Sequence, residues 1–122
     1  MLKLKTRLFS KWCEEEGITD PQLNYALQEI EQGLLGASLG AGIYKKRIAV
    51  CGKGKSGGVR TLIVYKKNDR AIFIYGFNKK QLENINESEL LALKKLSKVY
   101  LSYTEQEISY EVYKGKLIEI KR

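Results

Sequence analysis

Histidine is absent from all 122 residues. Without it there is no Ser–His or Cys–His nucleophile pair and no histidine metal cluster. Cysteine is scarce as well. Cys13 and Cys51 stand alone without CxxC spacing, which suits reduced, partly buried thiols of a cytoplasmic protein better than a disulfide or a zinc site. One proline and eight tyrosines do not fit a disordered chain, which is usually poor in aromatics. The longest apolar runs, such as residues 61–65, are strand-sized and far below a membrane span. Residues 1–9 are basic, but no apolar stretch follows them, so no signal peptide is read there. A length of 122 residues with 43% apolar and 30% charged side chains implies one domain, residues 1–122, around one core.

A further absence is local. No acidic residue lies between Gln32 and Asn68, whereas Lys45, Lys46, Arg47, Lys53, Lys55, Arg60, Lys66 and Lys67 all do. The other 14 basic residues balance the 14 acidic ones, so this window holds the whole net charge of +8. A single-sign field of this kind is the footprint of a polyanion. A plain solvated face is the simpler alternative.

Helices come first along the chain. The expected first helix covers about residues 6–16, with Leu8, Phe9, Trp12 and Cys13 inward and Gly17 ending it. Thr19-Asp20-Pro21-Gln22 is a start signal for a second, whose inner face is Leu23, Ala26, Leu27 and Ile30 and which Gly33 closes. Residues 34–42 are small and glycine-rich and read as a loop. Strand-like runs follow at residues 43–50, 59–66 and 70–77, the last two joined tightly through Lys67-Asn68-Asp69. Alternation sets Tyr44, Lys46 and Ile48 on one face, Lys45 and Arg47 on the other, and Arg60 with Leu62 and Val64. A third helix is expected from about residue 86 to 103, with Ala92, Leu93, Leu96, Val99 and Tyr100 as its stripe. Thr104-Glu105-Gln106-Glu107 opens a fourth that Gly115 ends, and residues 116–120 suit a last short strand. The order ααβββααβ implies an α+β fold: a helical hairpin on one face of an antiparallel sheet of sequential neighbours, with further C-terminal helices.

The segment from Cys51 to Arg60, CGKGKSGGVR, carries the chemistry. Its Gly54-Lys55-Ser56 is not a P-loop, because Ala49 stands where the first glycine belongs and a strand follows instead of a helix. What remains is a run of glycines, interleaved with Lys53, Lys55 and Ser56, that would let backbone amides approach phosphate. RNA cleavage needs no histidine in principle, because the ribose 2′-hydroxyl is a built-in nucleophile. It does need a base near that hydroxyl, cations for the charged transition state and an acid at the leaving oxygen. Lys, Arg and Tyr can fill these roles when clustered cations tune one another.

The same residues resemble a known family. Tyr44-Lys45-Lys46-Arg47-Ile48-Ala49, Gly52 to Gly58 with Arg60, Arg70-Ala71 and Phe73-Ile74-Tyr75-Gly76-Phe77 are similar to RelE-like toxins of bacterial toxin–antitoxin systems. Gly17-Ile18-Thr19-Asp20, Leu39-Gly40, Asn84-Ile85, Glu89-Leu90 and Gly115-Lys116-Leu117-Ile118-Glu119 extend the resemblance over most of the chain. It implies the RelE/ParE fold, a metal-independent endoribonuclease that cuts mRNA on the ribosome, and a helix-turn-helix antitoxin encoded beside it. It implies no cofactor and no membrane partner. Carried over by position, Arg60 stabilises phosphate charge, Lys53 and Lys55 form the basic loop, and Arg47 and Lys79 add cations. Lys45, Lys46 and Lys80 are the other expected RNA contacts. Members of this subgroup commonly place an aromatic before the arginine, where this chain has Val59, so Tyr75 becomes the next candidate. On the same fold, a ParE-like gyrase inhibitor and a catalytically inactive RNA- or ribosome-binding module are the alternatives.

Overall fold

In the computed structural model, residues 1–50, 54–78 and 85–121 are described, without the side chains of residue 50 and residues 54–57. The elements are β1 (Leu2–Thr6), α1 (Arg7–Glu16), α2 (Asp20–Glu31), β2 (Ala37–Gly40), β3 (Ile43–Val50), β4 (Gly54–Lys66), β5 (Arg70–Asn78), α3 (Glu87–Ser102), α4 (Glu105–Tyr113) and β6 (Leu117–Glu119). Local chemistry sets the helix limits. The Thr6 hydroxyl accepts from the Phe9 N–H at 3.1 Å, starting α1 in place of a backbone carbonyl. Gly17, at φ 73°, ends it in the left-handed conformation that glycine adopts without a Cβ clash. Asn86 caps α3, and Thr104 and Glu107 cap α4 reciprocally at 2.9 and 3.1 Å.

The strands form one six-stranded sheet in the order β2-β3-β4-β5-β1-β6. All neighbours are antiparallel except β1, which lies parallel to β5 with Leu2 opposite Arg70 and Lys5 opposite Phe73. Helices cover both faces. On one, Phe9 and Cys13 of α1 and Leu23, Leu27 and Ile30 of α2 pack against Ile48, Val59, Ile63 and Phe73. On the other, Ile108 of α4 and Leu93, Tyr100 and Leu101 of α3 meet Ile43, Leu62, Val64, Ile72 and Ile74. Each fully buried aliphatic side chain contributes about 1.5–3 kcal/mol relative to exposure.

Two polar clamps fix these layers. Lys5 on β1 donates to Asp20 at the start of α2 at 2.7 Å, and Asp20 also accepts the Lys121 N–H at 2.8 Å. Arg70, only 4% exposed, donates to the Tyr100 and Tyr103 carbonyls at 2.8 and 2.7 Å. Its guanidinium thereby satisfies carbonyls at the C-terminal end of α3 that have no helical partner.

The α+β class and the helical hairpin on the sheet are as the sequence implies, and so are the ends of β3 and the fourth helix. Several details differ, the parallel β1–β5 pair in an otherwise antiparallel sheet among them. The N-terminal residues form β1, and residues 37–40 form the edge strand β2 rather than a loop. Helices lie on both faces of the sheet, because β3, β4 and β5 carry apolar residues on both. Leu8 points outward and is 79% exposed, and Ala92 and Val99 on α3 are exposed too. The inner face of α3 instead includes Ser97, whose hydroxyl donates to the Ala41 carbonyl at 2.6 Å.

Candidate functional site

Register sorts the cations. Residues directly opposed across antiparallel strands point to the same side of the sheet. Arg47, Arg60 and Phe77 are opposed across β3, β4 and β5, and so are Lys45, Leu62 and Tyr75. Both rows point to the α3/α4 side, because Leu62 and Tyr75 pack with that core. They lie toward the end of the sheet where β3 passes into β4. Arg47 is exposed, and Lys45 and Arg60 are half-buried. Among the described residues none of the three forms an ion pair. Like charges placed directly opposite each other on a sheet are destabilising, so the Arg47–Arg60 pair is a standing electrostatic cost.

Tyr75 borders these cations. Its hydroxyl donates to Glu89 Oε2 at 3.0 Å, while Asn86 Nδ2 donates to Glu89 Oε1 at 2.7 Å. Burial and then the Glu89 carboxylate push the phenol above its ordinary value of 10.0, so Tyr75 keeps its proton at neutral pH. Its ring lies 6.0 Å from that of Phe77. Glu89 is the polar partner that sequence reasoning missed. It sits 14 residues beyond Tyr75, in the first turn of α3, and no local pattern connects the two.

Lys46 goes the other way. It is 8% exposed on the helical-hairpin side, 3.3 Å from Glu29 Oε1, and it donates to the Leu34 carbonyl at 3.0 Å. The structure therefore does not bring it together with Lys45 and Arg47. Lys55 lies on β4 near its start, and Lys53, Lys79 and Lys80 fall outside the described residues.

The glycine segment and residue 59 also have structural explanations. Gly54 to Gly58 belong to β4 rather than to a free loop, with Gly54 opposite Val50 past a register shift between Ile48 and Val50. A Cβ on Gly58 would collide with the Ile48 backbone carbonyl, so this glycine is required by strand approach alone. Val59 is buried opposite Ile48 in the hairpin-side core. An aromatic here would face away from Arg60, so the unusual residue does not touch the basic face. Cys13 is buried beneath α1, and burial pushes its thiol up to about 12, leaving it protonated and unreactive. Among the described residues, no group of three or more His, Cys, Asp or Glu side chains is placed to hold a metal ion. No helix among them is long and apolar enough to cross a membrane.

A mixed sheet that carries at one end cations with no ion pair among the described residues, beside a protonated tyrosine, defines an α+β domain with a basic face. The comparison with protein families is specific: residues 1–120 match the family described as RelE toxin of RelE / RelB toxin-antitoxin system. The chain belongs to that family. No curated protein matches the sequence.

Proposed function

We propose that this toxin is a ribosome-dependent endoribonuclease of the bacterial cytoplasm that cuts mRNA and is neutralised by a cognate antitoxin. The observation that carries this reading is the Arg47–Arg60 pair, two opposed cations with no described acidic partner on the face that also presents Lys45 and Tyr75. A phosphodiester backbone offers the charge this pair lacks.

In the proposed reaction the ribose 2′-hydroxyl gives its proton to solvent water as its oxygen attacks phosphorus, and the bond from phosphorus to the 5′-oxygen breaks. The products are a 2′,3′-cyclic phosphate and a 5′-hydroxyl. Arg60 forks across the two non-bridging oxygens and stays charged throughout, so it stabilises the dianionic transition state more than the bound substrate. Tyr75 brings a proton to the 5′-oxygen as it leaves. Arg47 and Lys45 hold flanking phosphates. Lys53 and Lys55, on either side of Gly54 in the sequence, and Lys79 and Lys80, after Asn78, are the further phosphate contacts of this reading.

Expression without the antitoxin, with pulse-labelling of protein and DNA synthesis, tests the function. Translation should stop first, and mRNA recovered from ribosomes should carry 2′,3′-cyclic phosphate ends. A primary loss of DNA supercoiling with translation intact would instead assign the chain to the gyrase-inhibiting branch of the fold.

A further inference from the structure

β2 accompanies β3 only from Ile43 to Lys45. Beyond that point residues 46–49 of β3 form the edge of the sheet, with no strand neighbour on the outer side among the described residues. The direction of the backbone groups there follows from their neighbours. The Lys45 carbonyl lies against Gly36, on the β2 side, and the Ile48 carbonyl lies against Gly58 of β4. The Ala49 carbonyl points outward again and accepts from Gln22 Nε2 of α2 at 3.2 Å. With a period of two, the Arg47 N–H and C=O also point outward. Neither has a strand partner on that margin among the described residues.

Between this margin and α2 lies a pocket of about 240 Å³. Ala26 and Ile48, both buried, supply apolar lining. Tyr25 also lines it, is 63% exposed, and has no ring contact among the described residues. Gln22 uses one amide hydrogen on Ala49, and its second has no described acceptor. Glu29 completes the lining, with Lys46 Nζ 3.3 Å from its carboxylate.

We propose that this pocket receives one base of the mRNA, that of the nucleotide whose phosphate Arg47 holds. The inference rests on the RNA reading above. Arg47 serves both places: its side chain stands level with Arg60 on the α3/α4 side, and residue 47 also lines the pocket. Neighbouring strands are about 4.8 Å apart, so the pocket begins one strand from Arg60, beside the scissile step. Its volume falls short of the roughly 300–1,000 Å³ that drug-sized ligands occupy and suits a single flat heterocycle. Tyr25 offers a π-face for stacking, which is how single-stranded RNA bases are commonly held. The Arg47 N–H and C=O set a donor beside an acceptor, complementary to the acceptor and donor on a base's Watson–Crick edge, and Gln22 adds a second donor. A purine gains most, because its two rings cover more of the tyrosine. A protein strand suits the margin less well, since Gln22 already occupies the Ala49 carbonyl that such a strand would need.

The test uses full-length toxin and ribosome-bound mRNAs that carry one abasic ribose, placed in turn at each position flanking the cut. At the position that fills the pocket, loss of the base should weaken toxin binding about tenfold, as for one stacked base. Tyr25→Ala should lose a similar factor on intact mRNA and nothing further on that abasic one, because both changes remove the same contact. Tyr25→Phe should bind as the parent does, since the π-face remains. Tyr25 is exposed, so Tyr25→Ala should leave the urea unfolding midpoint nearly unchanged. If Tyr25→Ala costs the same on intact and on every abasic mRNA, or costs nothing on any, the pocket is overturned while cleavage by the parent toxin leaves the nuclease reading standing. A Tyr25→Ala variant that spares mRNA binding and weakens the antitoxin complex would give the margin to a protein strand and overturn the proposal as well. If the parent toxin neither binds nor cuts ribosome-bound mRNA, the RNA reading and the pocket fall together.

Discussion

Lys45 and Lys46 are neighbours in sequence and opposites in the fold. Lys46 is buried on the hairpin face between Glu29 and the Leu34 carbonyl, while Lys45 stands on the other face with Arg47 and Arg60 and no described ion pair. Among the described residues Lys5 is also buried, and it repeats the first pattern through Asp20. Cations on the hairpin face are thus matched to acids of α2 and help to hold the layers together. On the opposite face Lys45, Arg47 and Arg60 have no described ion pair, at a cost to the free protein, whereas Arg70 at the far end of that face is held by Asp69 and the Tyr100 and Tyr103 carbonyls. Residue type alone does not separate the two groups; the strand's two-residue period does.

The largest difference between the faces should appear in catalysis. Arg60→Ala should slow single-turnover cleavage of ribosome-bound mRNA on the order of a hundredfold or more, with binding nearly unchanged, as for removal of a preorganised charge-stabilising donor. Arg60→Lys should rescue little, since an ammonium cannot fork across two oxygens. Equal losses of binding and cleavage would remove Arg60 from the transition state. Tyr75→Phe should slow the same step on the order of a hundredfold while sparing the fold, because only a proton donor is lost. Parental cleavage by that variant would return Tyr75 to a packing role.

The hairpin face should respond in stability instead. Lys46→Ala leaves the half-buried Glu29 carboxylate without this cation and should cost about 1–3 kcal/mol in urea unfolding. Stability also has an acid limit on this side. Burial tends to raise the Asp20 carboxyl, but the hydrogen bonds from Lys5 and the Lys121 N–H outweigh it and hold the group below its usual 3.8. A depressed carboxyl contributes stability that is present above its unfolded value and lost as pH falls through the folded one. Unfolding measured at decreasing pH should therefore show a loss below about pH 4 that Asp20→Asn removes. The smallest effect runs in the opposite direction. Arg47→Ala should stabilise the free protein by about 0.2–1 kcal/mol, because it relieves a like-charge cross-strand pair. A loss of similar size would mean that the pair is already neutralised.

Much of this arrangement is legible in the sequence. The caps at Thr19, Asn86 and Thr104, the glycine at 17 and the alternation through residues 43–50 locate most elements and put Lys45 and Arg47 on one face. β1 is harder to read. Its Leu-Lys alternation looks like a basic tail, because nothing local announces that Lys5 meets Asp20 fifteen positions on. β2, made of Ala37, Ser38, Leu39 and Gly40, is an exposed edge strand with no strand-forming composition. On α3, buried Ser97 sits on the inner face between Leu93 and Leu101, and its burial is satisfied by the hydrogen bond that its hydroxyl donates to the Ala41 carbonyl. Hydrophobic periodicity cannot anticipate that. The same holds for Glu89 beside Tyr75, which depends on where α3 lies over the sheet.

The central claim is that unmatched cations serve RNA and matched ones serve the fold, and paired salt titrations test it most directly. Binding to mRNA-programmed ribosomes would be measured for Lys45→Ala and Lys46→Ala across a series of salt concentrations. The account predicts that Lys45→Ala makes the salt slope shallower by about 0.7, one single-strand phosphate, and that Lys46→Ala leaves it unchanged despite its lower stability. A slope unaltered by Lys45→Ala, or reduced equally by both, would contradict it.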